Sequence, residues 1–355
     1  MDARQNVLRM LRRQGPESVP FEFNLCQAQQ EAMEQATGGV PYPEFFQFQV
    51  RTVAARRPQP GDFSAYYRAR SALAAYADEW GIAYEPGRVE HFTHLQSPLA
   101  GDCDLADLER YPLPALDDPA LWADLPAEVA ALHGRGLAVA AGMQQTIFEM
   151  AWGIRGMDDM LCDMLTEPDK AECLFERITV LREAMARRYA AADVDVLELG
   201  DDVGTQRGMM FDPGLWRSLL RGRLARVVAA AKAVKPDILL FYHSDGQVYD
   251  IIPDLIDLGI DILNPVQPEC MDVDFLKKEY GQSLSFWGCL GTQSVMPFGT
   301  VEEVRASVTH MIDVVGAGGG LVLAPTHVVE PEVPLENLLA MVETAQTYGR
   351  QRYAR

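Results

Sequence analysis

The sequence contains two short apolar runs, Asp237-Ile-Leu-Leu-Phe-Tyr-His243 and Ile260-Asp-Ile-Leu-Asn264, separated by the amphipathic helical pattern of Val248 to Leu258. This order is typical of parallel strands connected by a helical crossover. Each apolar run ends in a polar side chain, His243 or Asn264. In a parallel barrel the carboxyl ends of the strands form one face, so we expect these polar groups to lie together.

The same alternation extends through most of the sequence. Thr300-Val-Glu-Glu303 is predicted to cap a further helix that runs to Val314. Ile82–Tyr84 or the region from Val89 to Leu95 either supplies an eighth strand or forms a hairpin insertion. Five further apolar runs are predicted to be strands: Val19–Asn24, Leu137–Gly142, Val194–Leu199, Leu284–Gly288 and Gly320–Ala324.

Seven strands alternating with helical patterns favour the α/β class and, within it, a (β/α)8 TIM barrel. An open doubly wound sheet is the alternative, but no G-x-G-x-x-G motif follows an early strand. We predict one barrel domain over residues 1–355, with residues 60–130 as an insertion or elaboration within it.

Composition limits the partners that the protein can have. The chain has 355 residues, 48% of them hydrophobic, and a formal charge of −20. This negative field would repel a phosphate backbone, so no nucleic acid is expected. No apolar run approaches the roughly 20 residues that span a membrane, and the first residues lack the apolar region of a signal peptide. We therefore expect a cytoplasmic protein. A small-molecule substrate is also expected, but the net charge says little about it.

Polar residues follow the predicted strands at the face where a barrel places its chemistry. Two of the six histidines, His243 and His327, lie at such strand ends. The predicted catalytic residues are Asp201, Asp202, His243 and Glu149. The predicted substrate-binding residues are Asn24, Gln206, Asn264 and Gln267.

His243, Asp245 and His327 are predicted to form a metal site, because imidazole and carboxylate groups bind zinc and other first-row divalent ions. Cys289 is a further candidate ligand, although a single cysteine in an apolar strand is more often buried. The alternative interpretation is that the two histidines form hydrogen bonds with neighbouring loops or with a substrate, without a metal. The sequence leaves both interpretations open.

Asp201 and Asp202 form a pair of adjacent carboxylates. If both face the cavity, repulsion raises one pKa, which suits a general acid or base. The alternative is that one of the two caps a helix and the other lies in a solvated loop.

These motifs together resemble the uroporphyrinogen decarboxylase superfamily. The resemblance rests on Phe241 to Gln247, Gly259 to Pro268, Gly319 to His327 and Val333 to Asn337, and it covers residues 137–350 well. It implies a (β/α)8 barrel and makes a homodimer plausible. The uroporphyrinogen decarboxylases of this superfamily use an arginine-rich segment after the first strand. Here the matching segment, Glu22 to Gln30, contains no arginine.

The superfamily also contains methyltransferases, which move a methyl group between a corrinoid and a small acceptor. Their zinc is typically held by a His-x-Cys element and a later cysteine. In this sequence the first element is His243-Ser-Asp245, and His327 lies in the region of the later ligand. The resemblance therefore implies a methyltransferase with a divalent metal and a corrinoid carried on a partner protein. The alternative function is a cofactor-independent decarboxylase with Asp201 or Asp202 as its proton donor.

Overall fold

The computed structural model describes residues 1–67, 77–86 and 93–353. Its strands are β1 Val50–Val53, β2 Ala83–Pro86, β3 Thr93–Gln96, β4 Ala138–Gly142, β5 Val196–Gly200, β6 Gly204–Thr205, β7 Gly208–Met209, β8 Leu239–His243, β9 Ile262–Asn264, β10 Ser285–Leu290 and β11 Leu321–Pro325. Its helices are α1 Ala3–Leu11, α2 Gln27–Ala36, α3 Tyr42–Phe45, α4 Leu105–Arg110, α5 Pro119–Trp122, α6 Leu125–Gly134, α7 Phe148–Arg155, α8 Met157–Thr166, α9 Pro168–Ala191, α10 Pro213–Trp216, α11 Gly222–Val234, α12 Ile252–Leu258, α13 Val273–Tyr280, α14 Val295–Phe298, α15 Val301–Asp313 and α16 Leu335–Tyr353.

The main sheet of the described residues has seven strands in the order β1-β4-β5-β8-β9-β10-β11. Every neighbouring pair is parallel. From β4 onward, helices connect each strand of this sheet to the strand of the same sheet that follows it in the sequence. The predicted α/β class with parallel strands is therefore confirmed. Thr300 caps α15 with the predicted reciprocal bonds to Glu303.

One strand prediction needs correction. Val19–Asn24 forms only one isolated parallel bridge, between Phe21 and Leu323 of the last strand, and Leu25 just after it forms a second bridge with Val329. Pro20 has no N–H group, which limits ladder formation there. The strand after this segment, β1, was not predicted from the sequence. β2 and β3 pair antiparallel with each other, apart from the main sheet, so these residues form a hairpin. Part of the region from Val89 to Leu95 lies outside the described residues.

Alternate residues of the parallel strands face the inside of the curled sheet. On β8, Leu239 and Phe241 belong to a buried inner core together with Val196 of β5 and Ile262 of β9. The next residue of the same face on β8 is His243. Because side chains alternate with a period of two, polar groups near the carboxyl ends lie directly above apolar layers. A larger apolar cluster lies outside the sheet, between the strands and the helices.

Among the described residues, no helix has both the length and the apolar character needed to cross a lipid bilayer.

Gly200 provides a test of the close strand packing beneath the site. Its φ is +149°, and an added Cβ would lie 2.2 Å from the carbonyl oxygen of His243. We expect Gly200→Ala to lower the free energy of unfolding by about 3 kcal/mol, because both the backbone and His243 must shift. Denaturant unfolding followed by circular dichroism measures this change.

The matched control is Gly222→Ala, because a Cβ at Gly222 meets nothing within 4 Å and the residue lies in helix α11. This control is expected to stabilise the protein by about 0.5–1 kcal/mol. Equal stability of the two variants would contradict the packing described here.

Candidate functional site

The inward-facing polar groups surround a cavity of about 340 Å³ at the carboxyl ends of the strands. We call this the inner cavity. Its floor includes Phe241 and Trp287, whose rings meet edge to face with centroids 5.5 Å apart. The polar side chains that line it are Glu22, Asn24, Thr52, Gln144, Glu198, His243, Asn264, Thr326 and His327.

His243 is held in one orientation by Asn264. Its Nδ1 lies 2.6 Å from Oδ1 of Asn264, and Nδ2 of Asn264 donates to the carbonyl oxygen of Trp287 at 2.8 Å. Since that carbonyl can only accept, Oδ1 must be the atom that faces His243, and Nδ1 of the imidazole must donate. In the neutral imidazole, Nε2 then carries a lone pair that is available to a metal or a proton.

Nε2 of His243 faces a carboxylate. Oδ1 of Asp202 lies 3.4 Å away, and the same oxygen accepts a hydrogen bond from the backbone N–H of Asp245 at 2.7 Å. One ligand atom each from Asp202, His243 and Asp245 lies within 4.8 Å of the others. We call these three residues the mouth cluster. A lone pair beside carboxylate oxygens is unfavourable unless a cation or a proton lies between them.

Asp245 is the least satisfied member of the mouth cluster. Its Oδ1 is buried and has no hydrogen-bond partner in the described residues. Burial raises the pKa of Asp245; His243 and His327 oppose this shift, and Asp202 adds to it. A buried carboxylate oxygen without a partner is costly, so this position favours either a proton or a positively charged ligand.

Asp201 and Asp202 point in different directions. Asp201 is buried and accepts hydrogen bonds from the backbone N–H groups of Ile147 and Glu149, at the start of α7. Burial raises the pKa of Asp201 to about 6, and the bonds from the backbone N–H groups oppose that shift. The interpretation that one of the two aspartates caps a helix therefore agrees with the geometry, and Asp202 is the one that reaches the mouth cluster.

Glu149 lies behind the mouth cluster. Its Oε2 accepts the backbone N–H of Asp202 at 2.9 Å, so it fixes the chain that carries the Asp202 side chain. Burial raises the pKa of Glu149, and the charges of Asp202 and Asp201 raise it further. The predicted catalytic residue Glu149 therefore occupies a supporting position in this geometry.

A second cavity of about 520 Å³ borders Asp245 of the mouth cluster. We call it the outer cavity. Asp245, Gln267, Thr292 and Phe298 line it, while His327 borders both cavities. Of the mouth cluster, His243 therefore borders the inner cavity and Asp245 borders the outer cavity.

The remaining predicted residues are spread around the mouth. Gln267 is buried, and its Oε1 accepts the backbone N–H of Gly246 at 2.7 Å, so it shapes the loop after β8. Asn24 is exposed at the edge of the inner cavity. Gln206 lies in the exposed turn between β6 and β7 and lines neither of the two cavities. His327 borders the cavities, but it is not one of the three grouped ligands.

Cys289 lies away from the mouth cluster. It is fully buried, with a φ of +74° that follows the positive φ of Gly288. Burial raises the pKa of its thiol to about 12, which disfavours the thiolate that would bind a metal. It is not among the grouped ligands of the described residues, so its assignment as a ligand has no support in this geometry.

Two glutamates at predicted strand ends, Glu22 and Glu198, were not among the predicted catalytic or substrate-binding residues, although Glu198 was a candidate to complete the metal site. Both line the inner cavity. Burial raises the pKa of Glu22. Burial also raises the pKa of Glu198 to about 8, with a further contribution from Glu22. The available signal was an acidic residue flanked by apolar neighbours, as in Phe21-Glu-Phe23 and Leu197-Glu-Leu199, which places the carboxyl group on the inner face.

Comparison with known proteins assigns the family. Residues 136–348 match the family model described as uroporphyrinogen decarboxylase (URO-D). The chain therefore belongs to the URO-D family, as its motifs predicted.

Curated relatives include proteins with two different activities. The methylcobamide:CoM methyltransferase MtaA of Methanosarcina barkeri is 27% identical over 179 residues, which cover 49% of this chain and 49% of that protein. The uroporphyrinogen decarboxylase of Coxiella burnetii is 24% identical over 187 residues, which cover 52% of this chain and 49% of that protein. The chain thus spans about half the length of the curated relatives that it matches.

A solved structure supports the fold. The structure of a methyltransferase from Methanosarcina mazei has a TM-score of 0.68 and 17% sequence identity, with 98% of this chain and 99% of that chain covered. At this identity the likeness concerns the fold alone.

The raised pKa of Glu198 predicts a pH-dependent stability. Its ordinary pKa of 4.5 rises to about 8 in the folded protein. Between these values the folded carboxyl group keeps its proton while the unfolded one loses it, so stability falls as the pH rises. Glu198→Gln removes this effect. We expect the variant to gain thermal stability over the wild type from about pH 5 to about pH 8, with no further gain above.

Thermal unfolding of the two proteins across this pH range, followed by circular dichroism, measures the difference. A difference in melting temperature that does not change with pH would show that Glu198 titrates normally.

Proposed function

We propose that this URO-D family protein is a methyltransferase that moves a methyl group between a corrinoid and a small acceptor at the mouth cluster. The observation that carries the proposal is the imidazole lone pair of His243, which Asn264 directs toward the carboxylate of Asp202. This arrangement suits a bound divalent ion. The similarity to the methylcobamide:CoM methyltransferase supports the same reaction class.

The residues of the mouth cluster fit a metal ion. Asp202, His243 and Asp245 would supply two carboxylate oxygens and one imidazole nitrogen, and the unpartnered Oδ1 of Asp245 is an available ligand atom. This donor set is harder than one built from thiolates and suits zinc or another first-row divalent ion. When bound, the ion would lower the pKa of an acceptor group or polarise it as a Lewis acid.

The protein's own residues position this chemistry. Asn264 fixes the ring of His243, and Glu149 fixes the backbone of Asp202. Such outer partners orient the ligands of metal sites. The inner cavity would hold the small acceptor, because it is small and borders His243. The outer cavity borders Asp245 and would face the corrinoid on its partner protein.

The architecture of the whole chain forms part of the same proposal. The segment of Phe21 and Leu25 runs parallel to the last strand and its extension, and Phe21 and Phe23 pack edge to face against Phe48, just before β1. This arrangement supports a closed (β/α)8 barrel with the extended segment in the first strand position. We propose one domain over residues 1–355, with residues 60–130 as its insertion.

Decarboxylation is the alternative activity, and the Coxiella burnetii relative favours it. The acidic lining of the inner cavity is unfavourable for a decarboxylase that binds an acidic substrate. Its lining in the described residues includes Glu22 and Glu198 but no arginine or lysine, so a substrate with several carboxylates would lack cationic partners. Asp201, one of the two proposed proton donors, is bound to backbone N–H groups instead of facing the cavity.

Zinc binding tests the mouth cluster. We expect chelator-treated protein to bind one Zn²⁺ in isothermal titration calorimetry, because three ligand atoms converge there. His243→Ala should abolish this binding, and Asn264→Ala should weaken it by about 10–100-fold through loss of ring orientation. Gln206→Ala is the matched control and should bind like the wild type. Unchanged zinc affinity in His243→Ala would reject the assignment.

Methyl transfer tests the reaction. The zinc-loaded protein is expected to demethylate methylcobalamin in the presence of a small thiol or amine. The absorbance change of the corrinoid measures this reaction. Asp245→Asn should slow this reaction at least about 10-fold, because the amide no longer neutralises the ion. If methylcobalamin stays intact while the chelator-treated protein releases carbon dioxide from an organic acid, the decarboxylase alternative is correct.

A further inference from the structure

We propose that the inner cavity binds the positively charged nitrogen of a small organic substrate, an amine or alkylammonium, between Glu22 and Glu198. This inference rests on the proposed function and gives it a substrate class. It assigns a role to two carboxyl groups that the mouth cluster does not use.

The two carboxyl groups are held in place and directed into the same space. Oε1 of Glu22 accepts a hydrogen bond from Nε1 of Trp287 at 2.8 Å. Oε2 of Glu198 lies 3.4 Å from Nε2 of Gln144. Both glutamates line the inner cavity. They are close enough that the charge of Glu22 raises the pKa of Glu198.

Each glutamate keeps one oxygen available. Both side chains are partly buried, and both line the cavity. Within residues 1–67, 77–86 and 93–353, Oε2 of Glu22 and Oε1 of Glu198 accept no hydrogen bond. These two oxygens are therefore free to contact a ligand, and a cationic N–H or N–CH₃ group placed between them would be attracted to both carboxylates.

The described lining of the cavity contains no permanently charged cation to compensate these carboxylates. Among the described residues that line it, none is lysine or arginine. His243 lines it too, but one of its nitrogens faces Asn264 and the other faces Asp202. The other histidine of the lining, His327, also borders the outer cavity. A cationic ligand would supply the counter-charge that no lysine or arginine of the described lining provides for Glu22 and Glu198.

The aromatic floor favours the same class of ligand. Phe241 and Trp287 line the cavity beneath the glutamates, and aromatic rings attract organic cations through their π systems. The volume of about 340 Å³ admits only a small molecule. With its nitrogen between the glutamates, such a molecule would extend its reacting atom toward His243, which borders the same cavity.

Choline and its uncharged isostere test this inference. In the isostere a tert-butyl group replaces the trimethylammonium group, so only the charge differs. We expect choline or the smaller trimethylammonium and methylammonium ions to bind in calorimetry at least about 10-fold more tightly than the isostere binds. Glu22→Gln and Glu198→Gln should each weaken binding of the cation about 10-fold, because they remove charge without changing volume.

Glu332→Gln is the matched control. It removes an acidic group beside the outer cavity, and it should not change the affinity for the cation. Equal binding of choline and its isostere, no binding of any of the three cations, or full affinity in both folded Glu→Gln variants would each overturn the inference.

This experiment separates the inference from the proposed function. Cation binding is measured on the full chain without metal or corrinoid, whereas methyl transfer is measured with both. Transfer of a methyl group without cation binding would reject the substrate class alone. Cation binding with no methyl transfer to any acceptor would support the cation site in the inner cavity and reject the proposed reaction.

Discussion

The two-residue period of the parallel strands is the constraint on which the site depends. Along β8, Leu239 and Phe241 occupy the inner core, and His243 follows on the same face. Along β5, Val196 is followed by Glu198 in the same way. The apolar layers fix the strands by excluding water. Polar side chains one step further along are thereby placed in a common space without needing to be close in sequence.

The sequence predicted much of this framework, because β4 and the strands from β8 onward are apolar runs between helical patterns. It could not predict β1. This strand reads Val50-Arg-Thr-Val53 and follows Gln47-Phe-Gln49, so polar residues interrupt its apolar signal. The opposite error affected Val19–Asn24, which has the apolar composition of a strand but forms only one isolated bridge, at Phe21 beside Pro20. Apolar composition predicts which residues are buried better than it predicts which residues form the hydrogen bonds of a sheet.

The site was predictable as a set of strand ends, but not in its detailed roles. Asp201 and Asp202 are chemically identical and adjacent, so only long-range neighbours distinguish them. The start of α7 binds Asp201, and the imidazole of His243 meets Asp202. Likewise, nothing local to Cys289 shows that two successive positive φ angles, at Gly288 and Cys289, turn the backbone at that point. Such roles are set by tertiary packing.

The two groups of acids differ in how their charge can be balanced. In the mouth cluster, Asp202 and Asp245 carry two negative charges when ionised, which one divalent ion would neutralise with His243 as a neutral ligand. Glu22 and Glu198 are left without such a partner, and burial pushes both toward the protonated form. A neutral substrate would leave them protonated. A cationic substrate would release a proton and restore a charge pair, and this linkage is the physical reason for placing the nitrogen there.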